Sequence, residues 1–244
     1  MELQFFGKEN KKYKGWVEEI WKYVIKEKYY FAVAASIFHT NHQPNKKTRF
    51  KKIIEIELNS NPRLKRREDE EKKAFVSLIS RLYKEDHETL KSVRSEFIEK
   101  AAEEFGPFFI SLPHTKKYIE PRIEFEGKIV GDSNHDFDVV FYNSSTNDKA
   151  IELIECKANL NSFVSYDIPL NEDSKDKDER KLLYIKAVDQ FFREKGKVIS
   201  SEILLLTYTL NTDLIEKFQP YFEKNKMEFV RLISCYCLTE MKTT

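Results

Sequence analysis

Two acids and a lysine stand on two apolar runs of this chain. Asp138 lies in His135-Asp-Phe-Asp138-Val-Val-Phe-Tyr142, and after sixteen intervening residues comes Glu155-Cys156-Lys157, ending the run that starts at Ala150. Both runs read as strands, because β-branched and aromatic residues dominate them and Ser-Ser-Thr-Asn-Asp-Lys between them is turn-like. Side chains two apart on a strand share a face, so Glu155 and Lys157 point the same way, on the face of Ile151 and Leu153. Magnesium prefers oxygen ligands and is commonly held by one or two carboxylates, with water and substrate phosphate completing its shell. Asp138 and Glu155, brought together across a hairpin, supply such a half-site, and the backbone carbonyl of Cys156 adds a third oxygen. Metal coordination lowers the pKa of bound water. Lys157 would position or help deprotonate that water and offset charge in the transition state. The chemistry is phosphodiester hydrolysis without a covalent enzyme intermediate.

The spacing of Asp138 from Glu155-Cys156-Lys157 resembles the PD-(D/E)xK, or restriction-endonuclease-like, nuclease superfamily. Phe137 stands where a proline often precedes the Asp. The resemblance implies an α/β (α+β) fold: a mixed central sheet flanked by helices, with Asp138 on one strand and Glu155 and Lys157 on the next. It also implies an additional acid on the helix before the sheet, for which Glu96, Glu99 and Glu103 are candidates. Asp136 is a spare acid beside Asp138. Gln190 lies on the helix after the motif, but Glu194 occupies the position where some relatives carry a tyrosine.

The element order that must carry such a site is read separately from the pattern. Residues 88–105 place Leu90, Val93, Phe97, Ala101 and Phe105 on one helical face, with Gly106-Pro107 as a stop. Phe108 to Leu112 and Ile119 to Phe125 read as extended, and the two motif strands follow. A helix from about Glu179 to Lys195 presents Leu182, Ile185, Val188 and Phe192. Glu202 to Leu210 reads as a buried strand, Asn211 or Thr212 as the cap of a helix carrying Leu214, Ile215, Phe218 and Phe222, and Met227 to Leu238 as a last strand. Glu126-Gly127-Lys128 also has the E-x-K form, but its central glycine suggests a hairpin turn. A structural ion pair between Glu155 and Lys157 is the competing explanation of the motif, although exposed pairs stabilise by only about 0–1 kcal/mol.

Residues 1–86 read as a mainly helical region, and residues 87–244 as the nuclease core. Trp16, Ile20, Tyr23 and Val24 give one amphipathic stretch; Ala74, Phe75, Leu78, Ile79 and Leu82 give another. Asn61-Pro62 is the one linker-like signal. The chain carries 42 Lys+Arg against 41 Asp+Glu, but residues 1–100 hold 23 against 16. The excess concentrates in Lys46, Lys47, Arg49, Lys51 and Lys52 and in Arg63, Lys65, Arg66 and Arg67, clusters suited to backbone phosphates or to a plain solvated surface. The run Glu68-Asp69-Glu70-Glu71 partly cancels the second. The apolar run Tyr29–Phe38 is too short to span a bilayer, and the N-terminus lacks a signal peptide's pattern. Three cysteines give no disulfide framework, which points to a reducing cytoplasm. Cys235 and Cys237 are expected on one face of the last strand, and His39 and His42 as a helix-end pair.

These readings converge on a magnesium-dependent endonuclease acting on double-stranded DNA, with manganese able to substitute. A type II restriction enzyme or related anti-phage nuclease is the leading form. Cutting both strands favours a homodimer, with one site per strand. No nucleotide-binding motif and no membrane segment is expected. A recombination, repair or RNA-processing nuclease of the same fold is the alternative. So is a non-catalytic nucleic-acid-binding protein with an eroded nuclease fold.

Overall fold

The computed structural model describes residues 3–8, 11–13, 15–45, 49–110, 114–131, 134–144, 149–164, 170–171, 173–195 and 200–240. They fall into two compact units, one of Lys12–Lys100 with Cys235–Lys242, the other of Met1–Lys11 with Ala101–Ser234. The expected division at 86/87 therefore shifts to 100/101, and each end of the chain crosses over. The cause is local. The first strand finds backbone partners in the sheet, and the long helix over 87–105 is divided between the two units.

The helical unit comprises α1 (Gly15–Lys26), α2 (Tyr29–Thr40), α3 (Arg49–Ser60), a 3-10 turn (Leu64–Arg66), α4 (Asp69–Leu82) and the first part of α5 (His87–Phe105). Its centre is α2, which buries Tyr30, Phe31, Val33, Ala34, Ala35, Ile37 and Phe38 and is apolar on nearly every side, as a helix enclosed by others must be. Phe97 packs its ring 5.3 Å from Phe31 and Phe38 and 5.6 Å from Trp21. The Tyr83 hydroxyl lies 2.9 Å from the Asn41 carbonyl and 3.2 Å from that of Ile37, so its hydrogen is shared between acceptors at the end of α2. On α1 the buried stripe is Val17, Ile20, Trp21 and Val24, shifted by one position from the expected Trp16 and Tyr23. On α4 Ala74 is exposed, while Phe75, Leu78, Ile79 and Leu82 are buried. Asn61-Pro62 breaks the chain between α3 and the 3-10 turn inside this unit, so it marks a corner rather than a boundary. No helix among the described residues is long and apolar enough to cross a membrane.

The second unit is a mixed seven-stranded sheet flanked by helices. Its strands are β1 (Leu3–Lys8), β2 (Lys116–Phe125), β3 (Lys128–Ile129), β4 (Val139–Asn143), β5 (Ala150–Lys157), β6 (Ser200–Thr207) and β7 (Val230–Ser234). The order is β1-β2-β4-β5-β6-β7, with β3 a short hairpin return on β2. β2, β4 and β5 form an antiparallel meander, with Tyr118 opposite Val140 and Val140 opposite Leu153. After β5 the chain crosses through α6 (Lys177–Lys195) and returns as β6, parallel to β5 with Glu155 beside Leu205. It crosses again through α7 (Asn211–Asp213), a π-helical turn (Leu214–Phe218) and α8 (Gln219–Lys224) to reach β7, parallel to β6. Parallel neighbours require such crossovers.

One face of the sheet carries Val140, Tyr142, Ile151, Leu153, Ile203 and Leu205, in one core cluster with Leu182, Ile185, Val188 and Phe192 of α6 and Leu214, Phe218 and Phe222 beyond β6. β1 was not foreseen. It pairs with β2 from Leu3↔Phe125 to Phe6↔Arg122, and its register then slips at Gly7. A Cβ on Gly7 would lie 2.7 Å from the Ile119 carbonyl oxygen and 2.9 Å from Pro121, so only glycine lets the two backbones meet there. Glu126 and Gly127 form the expected turn between β2 and β3, both with positive φ, which suits a two-residue hairpin. The last strand is shorter than expected. β7 stops at Ser234, and Cys235–Cys237 is a 3-10 turn of the helical unit with Cys235 buried. The two thiols therefore do not share a strand face. Leu210 rather than Asn211 or Thr212 precedes the helix at 211, without a side-chain cap.

Candidate active site

β5 is buried along its whole length except at Lys157. The last β4–β5 pair at this end is Val139↔Ile154, so Asp138 sits just beyond β4, opposite the beginning of Glu155-Cys156-Lys157. There its carboxylate replaces the missing strand partner, with Oδ2 accepting the Cys156 N–H at 2.6 Å. The N–H and C=O of one strand residue leave the same edge, so the Cys156 carbonyl also emerges on the Asp138 side. The Asp138 backbone carbonyl in turn accepts the N–H of Glu120 on β2, at 3.0 Å.

Glu155 and Lys157 share the α6 face of the sheet with Ile151 and Leu153, as alternation requires. Glu155 is 3% exposed and lies between two ammonium groups. Lys157 Nζ is 3.3 Å from Oε1, and Lys181 Nζ is 2.8 Å from Oε2. The second approach is off hydrogen-bond angle, which leaves Oε2 buried with no hydrogen-bond donor. Lys157 is also 3.7 Å from Asp178 Oδ1 and lies 4.4 Å from the centre of the Phe163 ring. Burial works against its charge, but Glu155, then Asp138 and Asp178, more than offset this and hold its pKa above the ordinary lysine value. Lys181 further donates to the backbone carbonyl of Asp136. The Asp136 carboxyl is pushed up by burial, with Lys181 opposing and Glu120 and Glu155 adding to the rise. It precedes β4 in an irregular segment, not on the strand itself.

The remaining candidates are dispersed. Glu103 is buried and paired with Lys117 at 3.2 Å. Glu99 and Glu96 lie on the part of α5 that belongs to the helical unit, and Glu96 accepts from the Ser92 hydroxyl. Gln190 is exposed and donates to Glu194 on its own helix. Arg49, Lys51 and Lys52 occupy the exposed first turn of α3, and Arg63, Lys65 and Arg66 are exposed around the 3-10 turn. Arg67 is tied to Glu71, and Lys46 and Lys47 lie outside the described residues. His42 contacts Arg94 rather than a metal-like set, and burial, with Arg94 and His39, pushes its pKa down.

Sequence reasoning missed Lys181 and Asp178. A signal for Lys181 existed, since it falls on the buried stripe of α6 with Tyr184, Ile185, Val188 and Phe192. A lysine on an apolar helix face needs an anionic partner.

The donor set fits a hard divalent cation in type. Asp138, Glu155 and the Cys156 carbonyl are all oxygen donors at one strand end, and Oε2 of Glu155, though ion-paired with Lys181, accepts no hydrogen bond. Among the described residues no group of three or more His, Cys, Asp or Glu is placed to hold a metal. A separate concavity of about 410 Å³ lies along β7, lined by Leu214, Ile215, Phe222 and Arg231 among others, and includes none of these residues. No protein-family model matches the chain, and no curated protein does.

Proposed function

We propose that this chain is a magnesium-dependent endonuclease of restriction-endonuclease-like fold that hydrolyses DNA phosphodiester bonds, as a type II restriction enzyme or related anti-phage nuclease. The observation that carries the reading is the contact of Asp138 with the backbone of Glu155-Cys156-Lys157, which gathers the acid–acid–lysine set at one strand end. The surrounding order supports it: helix, strands, the Glu155–Lys157 strand, helix, strand, helix, strand is the order such a nuclease core requires, in a mixed sheet flanked by helices.

Asp138 and Glu155, with the Cys156 carbonyl, would hold the cation, and manganese would satisfy the same oxygen donors. When bound, the metal supplies activation of water at neutral pH and charge neutralisation at phosphorus. The chain's own residues do the rest. Lys157, held by Glu155 and resting on Phe163, offers an ammonium to the phosphoryl oxygens as negative charge develops. The Cys156 N–H fixes the Asp138 carboxylate, so its ligand direction is set before substrate arrives. Exposed Arg49, Lys51, Lys52, Arg63, Lys65 and Arg66 would contribute salt-sensitive affinity for the DNA backbone.

The two lysines on Glu155 also favour a second reading, in which the cluster is a structural ion network in a non-catalytic nucleic-acid-binding protein. One assay separates the two. Plasmid and phage DNA are incubated with wild type, Asp138→Asn and Lys157→Ala, in magnesium, in manganese and in EDTA. Discrete metal-dependent fragments, lost in both variants, are expected. Cleavage of RNA or branched DNA alone would move the reading to processing or repair. No metal-dependent cleavage of any of these substrates would leave the structural network.

A further inference from the structure

Glu155 already has a cation on each oxygen, and the two are not equivalent. Lys157 is part of the motif, is partly accessible, and divides its charge between Glu155 and Asp178. Lys181 is 8% exposed, lies 2.8 Å from Oε2, and donates to the Asp136 carbonyl. It is flanked by the rings of Phe137 and Tyr184 at 5.8 and 5.7 Å. It thus reaches from α6 to both β5 and the segment that leads into Asp138.

An ammonium there does what a divalent cation would do: it neutralises a buried carboxylate that cannot be left unpaired. A divalent cation on Oε2 would stand beside this ammonium, and like charges at such range repel strongly in a poorly solvated site. The off-angle approach of Lys181 to Oε2 marks it as a charge partner that a metal can displace, whereas its bond to the Asp136 carbonyl gives it a second resting place.

We propose that Lys181 is a positioning residue that acts through Glu155: it is the resident counter-cation of the metal site, holding Glu155 in place without metal and competing with the divalent cation for Oε2. Its displacement makes metal binding weaker than the two carboxylates alone would give. The inference rests on the proposed metal site and assigns that site a built-in competitor.

The test is Mn2+ binding to the full chain, by titration calorimetry and by loss of the free-ion electron paramagnetic resonance signal. Wild type, Lys181→Met, Lys181→Arg, Glu155→Gln and Lys186→Met are compared, with folding checked by circular dichroism. Lys181→Met should bind Mn2+ about tenfold or more tightly, as expected for removing one cation at contact range. Lys181→Arg should stay near wild type. Lys186→Met, which removes the same charge further along α6, should change affinity less than about twofold, and Glu155→Gln should lose the site. A merely structural lysine would move affinity downward or not at all on replacement by Met. If wild type binds and Lys181→Met binds no more tightly, the competitor role is overturned while the metal site stands. Equal tightening by Lys186→Met overturns it too, because the effect would then be general charge. If no folded variant binds Mn2+, the metal site falls, and this inference with it.

Discussion

Asp138 Oδ2 accepts the Cys156 N–H at 2.6 Å, so one carboxylate both extends the β4–β5 ladder by a rung and stands at the candidate metal position. The two roles separate under substitution. Asp138→Asn keeps an acceptor oxygen and should retain the fold to within about 1 kcal/mol, whereas Asp138→Ala leaves a buried N–H without its charged partner and should lose about 1.5–3 kcal/mol. Both should lose metal-dependent cleavage by at least about a hundredfold. Urea denaturation beside a cleavage assay reads the two effects independently.

Lys157 defines what the site can do with protons. Burial alone would lower its pKa, but the Glu155, Asp138 and Asp178 charges and its bond to Glu155 raise it above 10.5. In the metal-free protein it is therefore an ammonium at neutral pH and cannot accept a proton from water; its role there is charge. The sequence reading left general-base help open, and this narrows it. A raised lysine pKa contributes stability in full below the unfolded value and loses it as pH rises through the folded one. Lys157→Met should thus be less stable than wild type at pH 8, with the gap closing only above pH 10.5. Denaturant midpoints across pH 8–11.5 test it, and nitrogen NMR of Nζ in the metal-free protein should show no deprotonation below about pH 10.

Much of this unit was legible because its signals are local. Strand alternation put Glu155 and Lys157 on one face, Gly106-Pro107 stopped α5, and Gly127 turned β2 into β3. What was missed depends on partners distant in sequence. β1 shows little burial pattern, with four of its six residues exposed, and exists because β2 has an open edge. Lys181 looked like one more charge in Asp-Glu-Arg-Lys until the crossover placed α6 over Glu155. The apolar run after Met227 ends early because the Cys235–Cys237 segment packs with the helical unit, where the Tyr236 ring meets His39 at 6.1 Å.

Glu152 shows that a buried acid on β5 need not be catalytic. On the face opposite Glu155, it is fully buried and accepts the backbone N–H groups of Phe108, Phe109 and Ile110. It thereby pins the segment after α5 to the sheet. Glu152→Ala strands three donors and should cost about 2–4 kcal/mol. Burial raises its pKa, with the three backbone bonds opposing. A carboxyl whose folded pKa is raised holds its proton better when folded, so its contribution is largest below the unfolded value of 4.5 and declines as pH rises through the folded value. The stability gap between wild type and Glu152→Ala should therefore be wider at pH 4 than at pH 7. Thermal melts at the two pH values read it, and a gap that widens with pH would contradict the burial-dominated assignment.

The basic residues of the helical unit differ in how committed they are. Arg67 is held by Glu71 in an i,i+4 pair at 3.3 Å, so its charge is already spent locally. Arg49, Lys51 and Lys52 stand exposed on the first turn of α3, where no acidic residue lies. If that turn contacts the DNA backbone, each neutralised phosphate contributes about 0.9 to the slope of log affinity against log salt. Replacing all three by alanine should reduce the slope by about 2–3, while alanine favours the helix and keeps α3 intact. Arg67→Ala should leave the slope unchanged within error. Fluorescence anisotropy of a labelled duplex across a salt series, in EDTA to prevent cleavage, makes the comparison. Equal slopes for wild type and the triple variant would show that these residues form a solvated surface, because a phosphate contact cannot be removed without releasing its share of the salt dependence.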